Sequence, residues 1–71
     1  MNGVIEFEEQ YVKKYLNIDL LLEFQKTHDV QVIREADYSY HCYIDKKAFG
    51  TAFTPMYALV FGINQYLEHK A

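Results

Sequence analysis

The chain has 71 residues, about half of them hydrophobic, with seven Tyr, five Phe, no Trp and a formal charge of −3. That is too apolar for a disordered segment, and it makes one small domain near the size at which a single core barely offsets chain entropy. Seven basic residues, only Arg34 of them an Arg, are too few for a surface that binds nucleic acid by displacing counterions, and −3 is too weak for an acidic mimic of DNA.

From Val4 to Leu16, Phe7, Tyr11 and Tyr15 stand four residues apart with Val12 and Leu16 beside them. That spacing predicts a helix, with Glu9 and Lys13 as a favourable exposed pair. A short strand at Val4–Phe7 leading into a helix is the alternative. Asn17 or Asp19 caps a second helix that holds Leu20, Leu21, Leu22 and Phe24 and ends near His28 and Asp29.

Beyond Asp29 the period drops to two. Val30, Val32 and Arg34 alternate with Gln31, Ile33 and Glu35; then Tyr38, Tyr40, Cys42 and Ile44 share one face, with Ser39, His41 and Tyr43 on the other. Asp45-Lys46-Lys47 is a polar turn. In the third strand, Ala48 to Phe53, the period puts Phe49, Thr51 and Phe53 on one face. Ala48, Gly50 and Ala52 fall on the other, where a close neighbour such as a helix is expected.

Thr54 is a good N-cap and Pro55 suits the first helical position. Met56, Leu59, Val60, Ile63 and Leu67 then form the stripe of a helix packed on a core. Gly62 inside it costs about 1 kcal/mol against Ala; a close crossing by another helix or a partner subunit explains it, as does simple tolerance. The fold class is α+β: N-terminal helices, a three-stranded antiparallel β-meander and a C-terminal amphipathic helix packed on the sheet, in a single domain over residues 1–71.

Catalytic patterns are sparse. His41 and Cys42 are neighbours on a strand and point to opposite faces, so they form no nucleophilic dyad. A lone Cys alternating with Tyr is more simply a small core residue. Cys42, His28, His41 and His69 have no metal-ligand spacing, and Gly3, Gly50 and Gly62 are isolated, so neither a metal nor a phosphate-binding cofactor is expected. Glu6, Glu8, Glu9, Asp19 and Glu23 read as solvated helix faces and caps. The single Cys, the acidic residues near the start and a longest apolar run of only Met56 to Ile63 point to a cytoplasmic chain without a membrane span.

The rings carry the functional reading. Each covers roughly 150–250 Å², more in total than one small interior hides. Tyr38, Tyr40 and Tyr43 in the meander, with Tyr57 and Phe61 on a second stripe of the last helix, are candidate anchors for a protein partner. Alternatively, the first helix covers Tyr57 and Phe61. With no disulfide available, a homodimer is the expected brace. A non-enzymatic protein-binding module leads; an antitoxin-like regulatory subunit and a small enzyme using Cys42 are the alternatives.

The order helix, three strands, helix resembles that of double-stranded RNA-binding domains. Where those domains open their last helix with a Lys-rich motif, this chain has Thr54-Pro55-Met56-Tyr57, so RNA binding is not inferred. The stretch Gly50-Thr51-Ala52-Phe53-Thr54-Pro55-Met56-Tyr57-Ala58-Leu59, followed by Gly62-Ile63 and Tyr66-Leu67, resembles the ending of many small bacteriophage accessory proteins. That resemblance covers the C-terminal strand and helix. It implies a phage or prophage origin and a compact protein that binds and inhibits or modulates a host defence or transcription protein. It assigns no functional residue.

Overall fold

A computed structural model describes residues 2–70. Two helices, α1 (Asn2–Tyr15) and α2 (Ile18–Thr27), precede strands β1 (Val30–Ala36), β2 (Ser39–Ile44) and β3 (Lys47–Ala52), and α3 (Pro55–Lys70) closes the chain. Asn17 is the cap that separates the first two helices: its side-chain oxygen accepts the Leu20 N–H at 3.1 Å. The strands form an antiparallel sheet in the order β1-β2-β3, with α3 laid on one face, so the architecture is α+β as the periodicities require. No helix of the described residues is long and apolar enough to cross a membrane.

The β2–β3 hairpin turns on Asp45 and Lys46, both with positive φ, 51° and 70°. That is the backbone of the turn whose twist matches paired strands. Asp45 is held there from outside the hairpin. Its N–H donates to the Asp29 carbonyl at 2.8 Å, and its carboxylate accepts the Asp29 N–H at 3.1 Å.

Two register shifts reshape the faces. In β1–β2, Arg34 pairs with Tyr40 and Ala36 with Ser39, which leaves Glu35 as the extra residue. In β2–β3, His41 pairs with Thr51 and Tyr43 with Ala48, so Cys42 faces both Phe49 and Gly50. Gly50 takes φ +93°, the conformation a bulge demands. The expected faces of β3 are corrected accordingly: the bulge turns Phe49 and Ala52 together onto the inner face. A helix does lie close, since a Cβ on Gly50 would come within 3.2 Å of the Phe61 ring.

The core is thin: Phe24, Cys42, Ile44, Ala52, Ala58, Val60 and Ile63 are the buried apolar residues among those described. Gly62 is what lets α3 approach the sheet, because a Cβ there would sit 2.6 Å from the Cys42 sulfur. The close neighbour is thus a strand, not a second helix. Met56 and Leu67, expected in the core stripe, are exposed. Gly62 marks the side of α3 that meets the sheet, and both residues lie away from it along the margin of α1, Met56 beside Glu9, Val12 and Lys13 and Leu67 beside Tyr11 and Tyr15.

Helix α1 packs on α3 and is tied to it by Glu8, only 4% exposed. Its carboxylate accepts the Phe53 N–H (2.9 Å), the Thr54 N–H (2.9 Å) and the Thr54 hydroxyl (2.7 Å). The reading of Glu8 as a solvated residue is therefore corrected. It supplies an anion at the start of α3, where orphan N–H groups and the helix dipole favour one.

Candidate functional site

The sheet has one face under α3 and one that no described helix covers. Because Cys42 and Ile44 point into the core, their strand neighbours His41 and Tyr43 stand on the open face, joined by Gln31 and Ile33 from β1 and Thr51 from β3. Tyr43 and His41 are stacked, ring centroids 6.2 Å apart. The bulge re-aims Glu35 so that it accepts the Tyr43 hydroxyl at 2.8 Å and lies 3.8 Å from His41 Nδ1. That hydrogen bond, with partial burial and the carboxylate charge behind it, holds the Tyr43 phenol above its ordinary ionisation range. Beside Tyr43 lies an open recess of about 250 Å³ lined by Asp29, Gln31, Ile33, Tyr43 and Lys46.

Glu35, His41 and Ser39 stand in the order of a hydrolytic triad, with His41 Nε2 3.5 Å from the hydroxyls of both Ser39 and Thr51. The chemistry it would need is not assembled. Glu35 already takes its hydroxyl donor from Tyr43, and the hydroxyl contacts are at the limit of a hydrogen bond. Backbone N–H groups of strands lie in the plane of the sheet, so none is aimed above it at a developing oxyanion. Cys42 is fully buried, and burial pushes its thiol up to about 11, which withholds the thiolate at neutral pH. No group of three or more His, Cys, Asp or Glu among the described residues is arranged to hold a metal ion. The crevice where the three helices meet, lined in part by Leu20, Leu21 and Ile63, offers about 10 Å³, room for one water.

The anchors expected from sequence separate into two places. Tyr43 is on the open face, and Tyr38 is exposed in the β1–β2 turn at φ 59°, its ring 6.4 Å from Phe53. Tyr40 turns inward and packs against the core, so it presents no free ring to the open face. Tyr57 and Phe61 lie on the other side of the molecule, stacked at 5.2 Å and half-buried beneath α1. Tyr11 meets Tyr57 edge-on at 5.0 Å and Phe61 at 6.0 Å, and Phe7 comes within 6.3 Å of Tyr57. Asn64 donates to the Tyr11 hydroxyl at 3.0 Å. Burial, then the neighbouring Tyr11 and Glu8, raises the Tyr57 phenol above its usual range.

This second cluster has an exposed rim that the sequence reading did not single out as a site. Phe7 is 60% and Tyr15 47% exposed, and the Tyr15 ring lies tilted against Tyr11 with centroids 4.5 Å apart. Eight of the ten large apolar side chains exposed among the described residues sit on helices. The signal was the ladder Phe7, Tyr11, Tyr15 itself: rings four apart on a helix that already has Ile5 and Val12 for its inner side. Comparison with protein-family models, curated proteins and solved structures finds no match to this chain.

Proposed function

We propose that this chain is a non-enzymatic protein-binding module that works as a homodimer and sets the open face of its sheet against a partner protein. The observation that carries this reading is the uncovered face around Tyr43, where a half-buried ring, a His and Ile33 stand among polar groups. An aromatic anchor with a polar surround is the make-up of a non-obligate interface. The chain also exposes 5000 Å² of surface, against about 4,600 Å² expected for a monomer of its mass.

The resemblance of the C-terminal strand and helix to bacteriophage accessory proteins supplies the concrete version. The partner is a host defence or transcription protein, met in the host cytoplasm and inhibited or modulated by occupation of its surface. Tyr38 lies in the adjoining turn, while Tyr57 and Phe61 act from within the fold. The test is capture from bacterial lysate on immobilised wild-type and Tyr43→Ser chains. A discrete protein held by the wild type and lost from Tyr43→Ser is expected; identical capture by both removes the open face from the reading.

A further inference from the structure

We infer that α1 is a lid: it opens as a unit, independently of the core, and in doing so uncovers the stacked pair Tyr57 and Phe61. The inference does not rest on the partner reading above, which concerns the open face of the sheet.

Core membership carries the argument. Among the described residues, no apolar side chain of α1 is buried, and none packs on the cluster around Cys42, Ile44 and Ile63. Helix α2, by contrast, gives Phe24 to that cluster. The side of α3 that meets the sheet is the Gly62 side, with Cys42 beneath it. Helix α1 lies on another side, over Tyr57 and Phe61. Taking α1 away therefore leaves the contact between α3 and the sheet intact. It also leaves α2 capped, because Asn17 accepts the Leu20 N–H from outside α1.

What holds the lid is of a kind that water can replace. Among the described residues, the buried side chain that α1 contributes is Glu8. Its donors are the Phe53 and Thr54 N–H groups and the Thr54 hydroxyl, at the turn before α3. On opening, carboxylate and donors alike pass to water and are not stranded in a closed interior, so each lost hydrogen bond has a modest net cost. The other ties are Asn64 to the Tyr11 hydroxyl and the rings of Phe7 and Tyr11 on Tyr57 and Phe61. Units held by few buried apolar contacts open at free energies below that of global unfolding. A released α1 of 14 residues is too short to stay helical in water, so its amide protons then exchange with solvent.

Hydrogen exchange of the full chain at neutral pH, in water and in urea below the unfolding transition, tests the lid. Wild-type α1 amides are expected to exchange roughly tenfold faster than those of β2, or more. Their urea dependence is expected to be weaker, because opening α1 exposes less surface than global unfolding. Two substitutions then separate a lid from an element that unfolds only with the rest. Ile44→Val weakens the core, so it is expected to speed β2 exchange about fivefold. It should leave α1 exchange unchanged, since the core is equally intact with the lid closed or open. Glu8→Gln removes the charge that holds the lid and is expected to speed α1 exchange about tenfold or more. The lid is overturned if Ile44→Val speeds α1 and β2 alike, or if both share one urea dependence in the wild type. It is also overturned if Glu8→Gln leaves α1 at its wild-type rate, or if that substitution unfolds the core.

Discussion

The two surfaces that carry exposed rings in this molecule are built differently. On the open face of the sheet, Tyr43 spends its hydroxyl on Glu35 and stacks on His41, so the ring is tied into a polar network whose backbone is locked in the strand ladder. On the flank of α1, Phe7 rests on Tyr11 and Tyr57 and Tyr15 on Tyr11, ring against ring, with the Asn64–Tyr11 hydrogen bond beneath them. Polar networks suit a contact that forms and dissolves, because its groups are satisfied in either state. An apolar stripe has no such resting state and gains most from being covered permanently. On the function proposed above, the two surfaces are therefore expected to play different parts.

The two surfaces are coupled through few contacts, and those are where the fold can be broken. Glu8 is the strongest. Glu8→Ala strands two N–H groups and a hydroxyl, so urea and thermal unfolding should show a loss of about 3 kcal/mol, lowering Tm by roughly 12 °C or more. A loss below about 1 kcal/mol would mean that α1 is held by its rings alone. Gly62→Ala is expected to destabilise by about 2 kcal/mol, although helix propensity alone would make it stabilising by about 1 kcal/mol. The sign of that change decides whether α3 really touches Cys42. The smallest effect sharpens the open face. Ionising Tyr43 places a second negative charge beside Glu35, so its phenol should titrate above the ordinary value near 10. The hydrogen bond is then intact at neutral pH, and its stabilisation fades only as pH rises through the raised value. Absorbance titration should show Glu35→Gln bringing that ionisation down.

Much of this architecture could be read from the residues. The change of period at Asp29, the Asn17 cap and the Thr54-Pro55 start of α3 placed the elements, and Tyr57 with Phe61 marked a second apolar side of α3 that α1 covers. Three features were hidden because tertiary contact, not local pattern, decides them. Glu8 reads as one of three surface acids, yet it alone shares the inward spacing of Ile5 and Val12. The Gly50 bulge breaks an alternation that reads as unbroken, and the Glu35 bulge brings a carboxylate to Tyr43 that regular pleating would not place there. Alternation puts Tyr40 and Tyr43 on opposite faces of β2 but does not say which face a helix covers. The face that α3 covers makes one a packing residue and leaves the other open.

Sedimentation velocity on Phe7→Ser and Tyr43→Ser chains side by side, each followed by lysate capture, tests the separation of the two surfaces most directly. Phe7→Ser is expected to capture the partner as the wild type does, and Tyr43→Ser to lose it while sedimenting unchanged. If Phe7→Ser loses the partner while Tyr43→Ser keeps it, the role assigned to the open face is contradicted.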